Sequence, residues 1–317
     1  MKITEHIKQS DKPLLSLEIL PPRKGQKIED LFEVLDPLME YNPSFINVTY
    51  HREENKYIPQ PNGLLRKQKV RKRPGTVGIA AGITNRYNVD TVPHIICGGF
   101  TKEETENALI DLDYLGVNNL LVLRGDAMKS EGVFVPEPDG HEFASELLEQ
   151  VVNLNKGIYL DDELQNTAKT NFCIGVAAYP EKHFESPNKK TDLQYLKEKV
   201  DKGADYIVTQ MFFDNQVYFD FVKKCREMDI NVPIIPGLKP LATKKQLQRI
   251  PQFFHINYPE TLVDEVLKCK TNEAVYELGI EWAVQQSKEL IEFGAPCLHY
   301  YTMGRGNNIL KVVEQVY

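Results

Sequence analysis

Leu14-Leu15-Ser16-Leu17-Glu18-Ile19-Leu20-Pro21-Pro22-Arg23 is a short apolar run that carries one carboxylate and is closed by two prolines. Proline has no amide with which to extend a ladder, so a run of this length ended by a Pro pair reads as a buried strand. Side chains alternate along a strand, which places Ser16, Glu18 and Leu20 on one face and Leu15, Leu17 and Ile19 on the other. An ionised carboxylate buried without a partner costs on the order of several kcal/mol, so Glu18 must meet a cation, hold a proton or take part in chemistry. A pairing with Arg or Lys from a neighbouring strand is the plain alternative to a catalytic role.

The pattern of apolar run and helical spacing repeats down the chain. Ile28, Leu31, Phe32, Leu35, Leu38 and Met39 recur at helical spacing before a second strand, Phe45 to Thr49. The polar stretch from Tyr50 to Arg73, with Pro59, Pro61 and Gly63, reads as a long loop with some helix. Further strands are expected at 92–97, 119–123, 172–179, 206–210, 232–237 and 297–302. Helices are expected near 77–86, 102–114, 142–154, 192–202, 216–228, 244–250 and 272–293. A polar insertion spans 156–170.

Eight strands alternating with helices, with no Gly/Ser/Pro-rich linker between them, are the order of an α/β fold of the (β/α)8 TIM-barrel type, one domain over 1–317. An open doubly wound sheet shares that order. Nucleotide-binding folds of that kind usually carry a glycine-rich first turn, and neither G-x-G-x-x-G nor G-x-x-x-x-G-K-S/T occurs here.

With 42% hydrophobic and 26% charged residues, the composition is that of an ordinary globule. A net charge of −7 and a pI near 5.6 argue against a general nucleic-acid or anionic-membrane binder. The basic run from Arg66 to Arg73 lacks interleaved aromatics and reads as a solvated loop or helix face. Five cysteines without a C-x-x-C pair read as reduced thiols, and seven histidines without ligand spacing indicate no metal site. The absence of an apolar signal core or a membrane-length run leads to the expectation of a cytoplasmic protein.

In a barrel of this type the active site stands at the C-terminal ends of the strands. Those ends supply Glu18, Thr49, His94, Arg124-Gly125-Asp126, Tyr179 with His183, Gln210 with Phe212 and Phe213, and Tyr301 followed by Arg305. Two carboxylates among them can do different work if their surroundings differ. Apolar sequence neighbours favour the proton-bearing form of Glu18 and suit it to donate, whereas Asp126, beside Arg124, is expected to stay ionised. A Schiff-base lyase is disfavoured, because the run before Glu18 holds no lysine.

Eight blocks in order along the chain resemble the successive blocks of the methylenetetrahydrofolate reductase family. They are Leu17 to Arg23, Val48-Thr49-Tyr50, Pro93 to Cys97, Leu123 to Asp126, Val176 to His183, Thr209 to Asp214, Ile235 to Leu238 and His299 to Arg305. The chain resembles the short bacterial form that holds the catalytic barrel alone. The resemblance implies non-covalent FAD, reduced by NAD(P)H and reoxidised by 5,10-methylenetetrahydrofolate in a ping-pong cycle that supplies methyl groups for methionine synthesis. It implies Glu18 as the acid at folate N10 and Asp126 as a residue near the flavin and pterin rings. Thr49, His94, Arg124, Gly125, Asp126, Phe143, Ala144, Tyr179, His183, Asp192 and Lys199 match FAD-contacting positions. Gln210, Gln246 and Arg305 match positions that contact folate or the nicotinamide donor. A homo-oligomer is expected as well.

Two departures from the family pattern stand out. Ile250 occupies a position where some relatives carry a substrate-stacking Phe, and Phe143 stands near a position that is often Tyr.

Overall fold

Pro236 splits the seventh stave of a parallel barrel into two short strands. In the computed structural model, which describes residues 1–128 and 131–317, the chain opens with α1 (Ile3–Gln9), β1 (Leu14–Ile19), α2 (Glu29–Met39) and β2 (Phe45–Val48). A hairpin of β3 (Glu54–Pro59) and β4 (Leu65–Val70) leads to α3 (Thr76–Tyr87), β5 (Asp90–Ile96), α4 (Lys102–Tyr114) and β6 (Asn119–Leu123). Next come α5 (Ala144–Asn155), β7 (Cys173–Ala178), α6 (Lys189–Lys202), β8 (Tyr206–Thr209), α7 (Asn215–Glu227), β9 (Ile234–Ile235) and β10 (Gly237–Leu238). The chain closes with α8 (Gln246–Phe254), α9 (Glu260–Lys268), α10 (Asn272–Phe293), β11 (Cys297–Tyr301) and α11 (Asn307–Val316).

The bonded order is β10-β11-β1-β2-β5-β6-β7-β8-β9, parallel throughout. Its two ends, β9 and β10, adjoin in the chain across Pro236, so the sheet closes on itself as the expected eight-stave barrel. Pro236 cannot donate to a ladder, but its carbonyl accepts from the His299 amide at 3.0 Å and carries the closure. Gly237 then passes so close to its neighbours that an added Cβ would lie 2.3 Å from the Thr209 carbonyl oxygen. No larger residue fits there.

Alternation along β1 is as expected. Leu15, Leu17 and Ile19 face outward into the core shared with the helices, and Ser16 and Glu18 face the barrel interior. A second cluster, which includes Phe45, Val92, Leu121, Cys173, Tyr206 and Cys297, fills the barrel's lower half. Helix α1 plugs that end: Ile3 is fully buried and its amide donates to Asn119 Oδ1 at 2.9 Å. With this floor sealed, the C-terminal face is the end of the barrel left to carry a site.

The stretch from 50 to 73 corrects the expectation of a loop with helix. It is an antiparallel hairpin turning at Asn62-Gly63, where Gly63 has φ +78. Its strands are charged and solvent-exposed, so they lack the apolar alternation that marks a strand in sequence. The 156–170 insertion has no regular structure. It folds back on the helices through the Leu160 amide to Glu106 and the Thr170 amide to the Leu154 carbonyl. It joins a helix end to a strand start, which puts it on the face opposite the barrel mouth. Helices α1, α9 and α11 were not anticipated. No described helix is long and apolar enough to cross a membrane.

Candidate active site

Glu18 ends β1 with its side chain 14% exposed and its Oε2 3.7 Å from His94 Nε2 and 3.8 Å from His299 Nε2. Among the described residues no guanidinium or ammonium lies within ion-pair distance of it. Its backbone is pinned, because both the amide and the hydroxyl of Thr302 donate to the Glu18 carbonyl, at 3.1 and 2.7 Å. Thr49 Oγ1 donates to the neighbouring Ile19 carbonyl at 3.2 Å.

The floor beneath Glu18 is polar and buried. Ser16 Oγ lies 2.8 Å from His299 Nδ1, which leaves His299 Nε2 buried, unpartnered and turned toward the carboxylate. His94 Nε2 lies 3.3 Å from Asn47 Oδ1. Burial holds the His94 imidazole down to about 4, more strongly than the Glu18 charge lifts it, so the ring stays neutral at physiological pH. On β11, the Tyr301 hydroxyl donates to the Thr209 carbonyl at 2.6 Å, past the seventh stave. Burial, followed by the Glu18 charge, raises its phenol well above the ordinary value.

Asp126 is exposed at the mouth, and its charge and that of Glu18 both act on His51. The His51 imidazole is nevertheless held below its usual range by burial and by Arg73. The charges of the two predicted carboxylates thus both reach one imidazole at the C-terminal side of the strands. Arg124 pairs with Glu185 at 2.6 Å and lies over the Phe134 ring, while Gly125 turns the chain at φ +85. A Cβ at Gly125 would meet the Ile96 side chain at 3.2 Å, so its conformation and its close packing both require glycine. Tyr179 and His183 meet edge-on, 4.6 Å between ring centres, and burial pushes the Tyr179 phenol up to about 12.

Asp192 knits the loop after β7: its carboxylate accepts from the His183 amide at 3.0 Å and the Ser186 hydroxyl at 2.6 Å. Lys199 reaches from α6 to the Ala177 carbonyl at 2.8 Å, and burial lowers its ammonium to about 8. Phe143 is exposed at the N-cap of α5, with Ala144 the first helical residue.

The remaining predicted positions divide. Gln210 Oε1 accepts from the Met211 amide at 2.9 Å, and Arg305 stands exposed close enough for its charge to act on Lys239. Gln246 caps its own helix, its Oε1 accepting from the Ala242 and Thr243 amides at 2.7 and 2.9 Å. Ile250 is buried in an apolar cluster with Met211, Phe213 and Leu241 beneath α8, and it packs there as a core residue.

Sequence reasoning passed over Asn47, His299 and Lys239. The first two were concealed as polar residues inside apolar strands. Lys239 follows directly on Ile235-Pro236-Gly237-Leu238, at the one stave end for which no residue was named. Among the described residues no cluster of His, Cys, Asp and Glu could hold a metal.

The sequence model of the family described as methylenetetrahydrofolate reductase matches residues 2–317. An Arabidopsis thaliana methylenetetrahydrofolate reductase (NADH) 1 is 31% identical over 99% of this chain and 50% of its own length. A probable methylenetetrahydrofolate reductase (NADPH) from Caenorhabditis elegans is 29% identical over 98% of this chain and 43% of its own. The chain thus spans about half the length of these eukaryotic relatives. Among solved structures, a Clostridium thermocellum protein described as binding two copies of 5-methyl-5,6,7,8-tetrahydrofolic acid superposes with a TM-score of 0.57 at 17% identity, over 99% of this chain and 97% of that one. The Escherichia coli 5,10-methylenetetrahydrofolate reductase is 30% identical over 92% of this chain and 86% of its own length. A match from end to end, on a barrel whose mouth gathers the residues of the family's blocks, makes this chain a member of the methylenetetrahydrofolate reductase family.

Proposed function

We propose that this protein reduces 5,10-methylenetetrahydrofolate to 5-methyltetrahydrofolate, using non-covalent FAD and a nicotinamide donor in a ping-pong cycle that feeds methionine synthesis. The observation that carries the reading is Glu18: a carboxyl group at the barrel mouth, largely buried, with no Lys or Arg among the described residues in ion-pair distance to fix it as a structural anion. The folate-binding description of the Clostridium thermocellum neighbour agrees with it.

The residues of the mouth fit a flavin dinucleotide. Lys199 is a half-buried ammonium whose one hydrogen bond among the described residues goes to a backbone carbonyl, leaving two donors for a phosphate, with Asp192 on the same helix. Gly125 brings bare backbone to the end of β6 beside Arg124, packed on the Ile96 side chain. Bound FAD supplies hydride chemistry, taking two electrons from the donor and passing them to the folate one-carbon unit.

Every other step falls to side chains. Glu18 gives its proton to folate N10, the N10–methylene bond opens, and the one-carbon unit becomes an iminium at N5 that accepts hydride. The Thr302 bonds to the Glu18 backbone fix the donor's position, and the sealed floor of Ser16, Asn47, His94 and His299 keeps bulk water from that side. Asp126, across the opening, accepts a hydrogen bond from the pterin ring, and Gln210 and Arg305 hold the ligand's other polar groups.

The test is spectroscopic. The purified protein should be yellow, bleach anaerobically on addition of NADH or NADPH, and regain colour with 5,10-methylenetetrahydrofolate. A flavin that stays reduced in the presence of the folate would overturn the reading.

A further inference from the structure

Lys239 stands immediately after β10, at the C-terminal end of the seventh stave, only 8% exposed. Its ammonium makes no hydrogen bond and no ion pair among the described residues. A lysine so placed is costly, because desolvation penalises its charge and no counterion lies in contact. Two charges act on it: Glu18, which favours the ammonium from beyond ion-pair distance, and Arg305, which opposes it. Burial adds to the opposition and brings the group down to about 8.

Arg305 belongs to the loop after β11, the strand that pairs with β10, and its guanidinium also lacks a partner among the described residues. Two neighbouring cations therefore repel each other at the mouth, one of them deeply set. An anion between them would turn one repulsion into two attractions.

We propose that Lys239 is a ligand-binding residue which, with Arg305, forms an anion subsite for a carboxylate or phosphate group of a molecule bound in the barrel mouth. The assignment rests on the folate reductase reading above. A glutamyl carboxylate of the folate and a phosphate of the nicotinamide dinucleotide share the required chemistry. Both would enter the opening that Glu18 fronts. A neutral carbonyl would leave most of the like-charge repulsion in place and fits less well.

Calorimetric titration of the full chain with 5-methyltetrahydrofolate, with 6-methyltetrahydropterin, which lacks the aminobenzoylglutamate, and with NADH separates the sources. Wild type, Lys239→Met and Lys239→Arg are compared. Loss of a charge-assisted hydrogen bond should weaken one charged ligand by about tenfold or more in Lys239→Met, and Lys239→Arg should restore most of the affinity. Weakened 5-methyltetrahydrofolate with unchanged pterin points to the carboxylate, whereas weakened NADH points to the phosphate.

Because Lys239→Met removes a charge that burial disfavours and that no described residue partners, its urea midpoint should equal or exceed that of wild type. A lower midpoint together with uniform loss of all three ligands would mark Lys239 as structural and overturn the assignment. Unchanged affinities in Lys239→Met, with wild type binding normally, would overturn the assignment and leave the folate reading intact. Wild type that binds neither folate nor NADH would overturn both.

Discussion

Glu18 Oε2 lies 3.7 Å from His94 Nε2, across β2 from one another, with no cation between them. A carboxyl group in that position is flanked by an imidazole that burial keeps uncharged, so the ring is no permanent counterion for it.

Glu18→Gln keeps the shape of the side chain and removes the transferable proton. Folate reduction should fall by about a hundred- to ten-thousandfold, the usual range for a positioned general acid. Flavin reduction by NADH, which needs no proton at N10, should proceed at close to the wild-type rate. Stopped-flow measurement of the two half-reactions checks this, and an equal loss in both would remove Glu18 from the acid role.

His94 makes stability pH-dependent in a definite direction. Its imidazole titrates near 6.5 when exposed but only near 4 in the folded protein, because burial disfavours the cation. Between those values the unfolded chain binds the extra proton, so the contribution is complete above pH 6.5 and is lost as pH falls toward 4. The full contribution is at most about 3 kcal/mol. Urea midpoints should decline over that window, and His94→Gln should flatten the decline.

Much of this was legible in the sequence for a simple reason. Barrel strands are buried on both sides, so Leu14 to Leu20, interrupted only by Ser16 and Glu18, and Leu120 to Leu123 stand out as apolar runs, and each leads to polar residues at its end. Helices α4 and α10 matched their predicted spans because Thr101 accepts from the Glu104 amide at one start and Gly294, at φ +96, stops the other. The hairpin did not show, since a ladder solvated on both faces needs no apolar periodicity, and only Asn62-Gly63 marked it. His299 and Asn47 were hidden because their work is done by the inward face of a strand whose outward face sets the apolar pattern. Gln246 was placed by family position alone. Its amide oxygen accepts from two backbone amides at the start of α8, and its side-chain NH2 has no partner among the described residues.

Gly175 should not tolerate a side chain. A Cβ there would lie 2.3 Å from Tyr206 Cζ, and Tyr206 cannot retreat, since it is fully buried with its hydroxyl donating to the Leu120 carbonyl at 2.9 Å. Gly175→Ala should cost about 1–3 kcal/mol of unfolding free energy, the range for an overpacked core. Shortening the partner in Gly175→Ala/Tyr206→Leu should recover part of that loss, which equilibrium urea unfolding would show. Additive losses in the double variant would mean that the strain lies elsewhere.

Lys199 offers the sharpest handle on flavin retention. Its ammonium spends one donor on the Ala177 carbonyl, and under the proposed function the others would meet a phosphate; in the free protein it loses its proton near pH 8. The sign follows: the cation is present below that value and disappears above it, so FAD affinity should fall as pH rises from 7 to 9.5. Binding phosphate favours the charged form, which moves the fall upward in the loaded protein without changing its direction. Lys199→Met should weaken FAD by about ten- to a hundredfold at pH 7, the loss of one charge-assisted hydrogen bond, and should show a flatter pH dependence. Fluorescence titration of FAD into both proteins at the two pH values decides the matter, because a variant that binds as tightly as wild type at pH 7 would leave Lys199 as a strut for Ala177 and nothing more.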